Sequence, residues 1–203
     1  MASTHGPTTL IIHNGGYASL LASLIAESEA NSSETAGAGR GVMYAWLPTV
    51  GSGLFADEPP YVQGSISARN RAEMVDRQAK LFGFREVFAE DPAGGRHRPT
   101  VSSLLLRAVE IAADNRCQRV IWPVSVGDDL EALQRVTEQA ALVTELAATE
   151  PDLVGSEGDS VVRVLTPLAD LDEHGLAELA EDLGAPMEAC WRPVTAPIRA
   201  TES

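Results

Sequence analysis

Six residues near the N-terminus, Asn14-Gly15-Gly16-Tyr17-Ala18-Ser19, have the types and spacing of a turn that holds a phosphate group. They follow a short apolar strand predicted at residues 9–13 and precede a helix predicted from residue 17. Glycines let a backbone turn tightly and bring its amides close to an anion, and the amides that begin a helix attract negative charge. Ser19 could add a hydroxyl donor. The same residues also suit a plain tight turn with a positive φ, in which Ser19 bonds to its own turn.

Phosphate-binding motifs differ in how well they match this turn. The Walker motif GxxxxGK[ST] occurs nowhere in the chain, and the dinucleotide fingerprint GxGxxG lacks its third glycine here. The PP-loop of the ATP pyrophosphatases, SGGxDS, lies between a first strand and a first helix. Residues 14–19 match its two glycines and its final serine. The turn therefore resembles a PP-loop.

Arginines elsewhere in the chain could complete an anion site. Arg69 and Arg71 lie near the start of a predicted helix, where they oppose the positive end of the helix dipole and so suggest an anion nearby. Arg96 lies in a glycine-containing loop after a strand. Solvated surface arginines are the simpler interpretation. The predicted nucleotide- or phosphate-binding residues are Asn14, Gly15, Gly16, Ser19, Arg69, Arg71 and Arg96.

Composition narrows the classes of partner. The net charge of −14 opposes non-specific binding to nucleic acid or to anionic lipid. No apolar stretch approaches the length of a membrane span, and the N-terminus has no secretory signal, so we expect a cytoplasmic protein. The two cysteines form no CxxC pair and the four histidines have no metal-ligand spacing. We therefore predict no metal site.

Apolar runs of strand length alternate with helical patterns along the whole chain. This alternation predicts an α/β fold, with a doubly wound, mostly parallel sheet and helices on both faces. We expect a single domain over residues 1–203, with a core at 8–191 and flexible tails at 1–7 and 195–203. Ligands of such sheets bind at the carboxyl ends of the strands. The predicted strands are 9–13, 42–47, 84–89, 119–124 and 160–165; the predicted helices are 17–30, 67–82, 102–115, 130–148 and 173–183; the loops include 31–41, 51–64 and 91–99.

A second segment strengthens the resemblance. Residues 163–168 (RVLTPL) and 171–186 (LDEHGLAELAEDLGAP) are similar to a stretch of the 7-cyano-7-deazaguanine synthases, the queuosine-biosynthesis branch of the PP-loop superfamily. Those proteins have a strand that ends in TPL, then a helix, then a leucine-glycine-x-proline stop. The resemblance implies an adenine nucleotide alpha hydrolase-like fold, a homodimer, ATP with magnesium as ligand, and an ATP-dependent ligase that releases AMP and pyrophosphate.

Departures from the family pattern bear on catalysis. In the loop, Ala18 replaces the aspartate and Asn14 replaces the leading serine. Asp172-Glu173 replaces a serine-lysine pair of the family. Where the family has a zinc-binding cysteine cluster, only Cys190 lies near. Glu173 is negatively charged, whereas the lysine that it replaces neutralises the negative charge of polyphosphate, so this replacement opposes polyphosphate binding. We expect a protein that binds nucleotide or phosphate without the parent activity. The alternatives are an active ligase or amidotransferase with arginines as substitutes, and a non-catalytic interaction or dimerisation protein.

Overall fold

The computed structural model describes residues 6–37, 39–48, 54, 66–89, 99–150 and 161–190, with the backbone alone for residues 66–70. Strands and helices alternate through these residues, as the sequence predicts. The strands are β1 (Thr9–Ile12), β2 (Met43–Leu47), β3 (Val87–Ala89), β4 (Arg119–Ile121) and β5 (Arg163–Leu165). The helices are α1 (Tyr17–Thr35), α2 (Ile66–Phe82), α3 (Val101–Asp114), α4 (Leu130–Thr149) and α5 (Glu173–Asp182), followed by a 3-10 turn at Met187–Ala189.

The strands form one parallel sheet in the order β3-β2-β1-β4-β5. Leu10 is level with Tyr44 of β2 on one side and with Val120 of β4 on the other. The chain builds outward from β1 to β3 and then returns to place β4 on the opposite side of β1. The predicted doubly wound sheet is confirmed, and its strand order reverses between β1 and β4.

Alternate strand residues enter two apolar layers on opposite faces of the sheet. Leu10 and Ile12 pack in the layer that contains α3 and α4. Ile11 packs in the layer that contains α1, α5 and the end of α2. Burial on both faces explains why the strands are apolar throughout rather than alternating with polar residues.

Several element ends differ from the prediction. Helix α1 continues to Thr35, where a loop over 31–41 was expected. Its polar side chains are accommodated by bonding back to the preceding helical turn, since Ser32 donates to Ser28 O at 2.8 Å and Ser33 to Glu29 O at 3.0 Å. Helix α3 begins at Val101, one residue before the predicted start, and Thr100 is its N-cap. These polar residues act locally in ways that apolar periodicity does not register.

Strand β5 lies at one edge of the sheet, and one backbone amide on its outer side is hydrogen-bonded to a side chain. The Thr144 hydroxyl of α4 accepts a hydrogen bond from the Val164 amide at 3.0 Å and donates to Ala140 O at 2.9 Å. This side chain satisfies an edge amide that would otherwise invite another strand. Within the described residues, no helix is long and apolar enough to span a bilayer.

Candidate functional site

The glycine turn lies at the carboxyl end of β1, next to the point where the strand order reverses. The segment after β4 lies beside it and packs in turn on the segment after β5, since Val126 N donates to Ala169 O at 3.0 Å and Ser125 Oγ to Leu171 O at 2.6 Å. Open parallel sheets bind ligands in the crevice at this position. The fold therefore places the turn where a ligand site is expected.

The turn leads directly into the long helix α1 at this edge of the sheet. Gly15 has φ 75°, a conformation that favours glycine. Gly16 is the N-cap of the 19-residue helix α1. Because glycine has no side chain, it makes no side-chain capping hydrogen bond. The helix begins with Leu20 N bonded to Gly16 O at 3.0 Å. Within the described part of the chain, no hydrogen bond reaches the amides of Tyr17, Ala18 and Ser19, so the dipole of α1 is uncapped.

The amides before the helix, in contrast, are bonded inside the turn. Gly15 N donates to His13 Nδ1 at 3.0 Å, and Gly16 N donates to Asn14 Oδ1 at 2.8 Å. Asn14 N donates to Ser19 Oγ at 3.2 Å, and that hydroxyl donates to Asn14 Oδ1 at 2.8 Å. Ser19 thus bonds to its own turn, one of the two roles the sequence left open. The side chains of His13, Asn14 and Ser19 are at most 1% exposed.

His13 is held neutral by its surroundings. The pKa of His13 is lowered to about 3, chiefly by burial; hydrogen bonding by the Gln78 side chain opposes this lowering, and the positive charge of Arg71 adds to it. Because Nδ1 accepts from Gly15, the proton resides on Nε2, which lies 3.4 Å from Ser23 Oγ. Ser23 Oγ donates onward to Ser19 O at 2.8 Å. His13 is therefore a buried histidine whose two ring nitrogens both have partners.

Helix α2 contributes two buried polar side chains to the turn. Arg71, 1% exposed, donates from Nε to Asn14 O at 3.3 Å. Gln78, fully buried, donates from Nε2 to Gly15 O at 3.2 Å and to Ala189 O at 2.7 Å. The interpretation of Arg71 as a solvated surface residue is wrong. Sequence reasoning missed Gln78, although its spacing from Arg71, Val75 and Phe82 places it on the buried stripe of the helix.

The other predicted site residues lie elsewhere or outside the described residues. The side chain of Arg69 is among those not described, and Arg96 lies outside the described residues. Asp172 is the N-cap of α5, where its Oδ1 accepts from Gly175 N at 2.7 Å, and Glu173 stands exposed in the first helical turn. Both carboxylates suit a helix N-terminus. Asp129 caps α4 in the same way, accepting from Ala132 N at 2.9 Å.

The two cysteines lie in separate places. Burial raises the pKa of the Cys117 thiol to about 12. Cys190 is buried near Tyr17, whose pKa is raised by burial and by the charge of Cys190. The Tyr17 hydroxyl donates to Leu176 O at 2.9 Å, so the first residue of α1 is tied to α5. No group of three or more His, Cys, Asp or Glu that could hold a metal ion occurs among the described residues.

Two solved structures of enzymes match this chain to different degrees. The U34-tRNA thiolase NcsA from Methanococcus maripaludis, solved with its [4Fe-4S] cluster, matches with a TM-score of 0.53 at 11% identity over 97% of this chain. The chain spans 63% of the thiolase's length. NAD+ synthetase from Burkholderia pseudomallei matches with a TM-score of 0.38 at 17% identity over 92% of this chain and 63% of the synthetase.

The sequence by itself has no such match. No protein-family model matches the chain, and no curated protein sequence does so. At 11% identity, the likeness to the thiolase establishes the fold alone. The chain has a doubly wound α/β fold similar to that of the thiolase.

Proposed function

We propose that this chain is a divergent PP-loop protein, similar to the 7-cyano-7-deazaguanine synthases, that binds a nucleotide or phosphate at residues 14–19 without the parent ligase activity. One observation carries the proposal. The 19-residue helix α1 starts from the glycine turn at the reversal of strand order, with uncapped first amides and with the guanidinium of Arg71 buried against Asn14. Amides, dipole and guanidinium together favour an anion.

The residues fit a phosphate group better than they fit catalysis with magnesium. The amides of Tyr17, Ala18 and Ser19 are donors of the kind that phosphate oxygens accept. Ala18 offers no oxygen ligand for Mg²⁺, and Glu173 serves the N-terminus of α5 rather than neutralising polyphosphate. We therefore propose that this chain binds ATP with its magnesium through the phosphate groups of ATP alone. We do not propose that it releases pyrophosphate.

The substrate of the thiolase does not suit this chain. A net charge of −14 opposes the approach of tRNA, which is a polyanion. Two cysteines also fall short of the thiolates that normally hold a [4Fe-4S] cluster. A small anionic ligand avoids both difficulties, because a local electropositive site is enough to bind it.

A thermal-shift experiment with pyrophosphate, AMP and ATP, each with and without magnesium, tests the proposal. At a hundredfold excess over Kd, binding stabilises by about 2.7 kcal/mol, which for a domain of this size is a shift of roughly 5–10 °C. Gly15→Val should abolish the shift, since valine does not readily adopt φ 75° and the backbone of the turn must then change. Gly37→Val, at φ 85° beyond the C-terminus of α1, is the matched control and should keep the shift. A shift that survives Gly15→Val would place the ligand elsewhere.

The self-bonded turn favours one alternative, a non-catalytic interaction protein that forms a homodimer. Leu142 and Leu146, one turn apart on α4, are 64% and 44% exposed, and apolar side chains of this kind suit a subunit interface. Light scattering that gives the mass of a dimer, together with no thermal shift from any of the nucleotides, would favour this alternative. Thr144 makes dimerisation through the β5 edge less suitable than through the α4 surface.

A further inference from the structure

Asn14 stands where the resembled PP-loop motif has serine, and its carboxamide accepts from donors of the turn more strongly than a serine hydroxyl would. Its Oδ1 accepts from Gly16 N at 2.8 Å and from the Ser19 hydroxyl at 2.8 Å. One oxygen thus receives an amide and a hydroxyl from the two ends of the turn. This is the arrangement that a phosphate oxygen would have at a helix N-terminus.

The position of Asn14 is fixed from several directions. Its backbone amide donates to Ser19 Oγ at 3.2 Å and its carbonyl accepts from Arg71 Nε at 3.3 Å. The residue is 1% exposed, so its carboxamide fills buried space between the glycines and α1. A phosphate group cannot use the Gly16 amide and the Ser19 hydroxyl while the carboxamide remains in place.

We propose that the Asn14 side chain is an internal competitor for the anion, which occupies the donors of residues 14–19 and lowers the affinity of the site for phosphate. This inference rests on the proposed function, because it describes how the same site is regulated. Binding requires the carboxamide to rotate away and to give up both of its bonds. The free site is therefore autoinhibited, and the uncapped amides of Tyr17 and Ala18 provide the first point of contact for the ligand.

The test compares pyrophosphate binding and hydrogen exchange in the wild type and in Asn14→Ser. A serine hydroxyl accepts from the amide two residues on more weakly than an asparagine carboxamide does, so exchange of the Gly16 amide, followed by NMR, should become about tenfold faster. Titration calorimetry should show that pyrophosphate binds about tenfold tighter, which corresponds to 1.4 kcal/mol. Unchanged exchange at Gly16 would overturn the inference directly.

Two further variants sharpen the result. Asn14→Asp keeps the shape and the acceptor but makes both bonds charge-assisted and adds negative charge, so pyrophosphate should bind at least tenfold more weakly than to the wild type. Asn115→Ser, at the C-cap of α3, removes the bond from Nδ2 to Ile111 O and should leave pyrophosphate affinity unchanged.

The outcomes separate this inference from the proposed function. If the wild type binds pyrophosphate and Asn14→Ser binds it no tighter, the competitor role is overturned while the binding function stands. If neither protein binds although exchange at Gly16 is faster, both proposals are overturned, since opening the donors then creates no anion site. Tighter binding by Asn14→Ser with faster Gly16 exchange supports both.

Discussion

Replacement of His13 by asparagine should remove part of the protein's sensitivity to acid. The imidazole is fully buried, and its Nδ1 must remain unprotonated to accept from Gly15 N. Asparagine places an acceptor oxygen near the position of Nδ1 and forms the same local turn bond, but it does not titrate. His13→Asn therefore keeps the hydrogen bond of the turn and loses the ring, which contacts Phe84 edge-on at a centroid distance of 5.8 Å.

The size and sign of the effect follow from the pKa of His13. Burial holds that pKa at about 3 in the folded protein, below the ordinary value of 6.5 that applies to the unfolded chain. Between these values the unfolded chain binds a proton that the folded chain does not, so stability is full above pH 6.5 and is lost as the pH falls toward 3. The loss is 1.36 kcal/mol for each pH unit, or about 2 kcal/mol between pH 6.5 and pH 5.

Urea unfolding at pH 8 and pH 5 measures this loss. Other titrating groups contribute equally to the wild type and to His13→Asn, so the wild type should lose about 2 kcal/mol more than the variant. The lost ring contact lowers the variant's stability by the same amount at both pH values. His174→Asn, which changes an exposed histidine of α5, should behave as the wild type. Equal losses in wild type and His13→Asn would refute the assignment of His13 as a buried neutral acceptor.

The remaining predictions concern stability, and each is measured by urea unfolding at neutral pH. Gln78→Leu should cost about 2–4 kcal/mol because it leaves two buried carbonyls without their donor, whereas Gln134→Leu on the exposed face of α4 should change stability little. Gly127→Ala should cost more than Gly184→Ala; both have φ +61°, but only the first would bring a Cβ within 3.0 Å of the α5 N-cap side chain. Equal losses of stability in the two variants would show that the positive φ, and not the contact with Asp172, determines the cost of the substitution. Arg116→Gly should stabilise by about 0.5–1 kcal/mol, since Arg116 has φ 55°; a loss of stability would contradict that reasoning.

Local residue patterns were enough to predict the alternation of strands and helices and the place of the glycine turn. Strand β1 is an apolar run, helix α1 has an apolar pattern of helical period, and two adjacent glycines separate them. Each of these signals depends on a few neighbouring residues. Gly15 has the positive φ that the tight turn required.

Contacts between distant parts of the chain decided what the site contains. Arg71 reaches Asn14 across 57 residues, and Gln78 reaches Gly15 across 63 and Ala189 across 111. The periodicity of α2 places both side chains on its inner face, but it does not show that they reach the glycine turn. Only the packing of α2 against the end of β1 makes them part of the turn.

The sequence by itself determined that a turn able to hold an anion follows the first strand, because glycine content and helix polarity are local properties. The tertiary structure decided that α2 places Arg71 and Gln78 against the carbonyls of Asn14 and Gly15 and that both of these side chains are buried. The physical reason is that these bonds join residues 57 and 63 positions apart, so they form only when α2 packs against the end of β1.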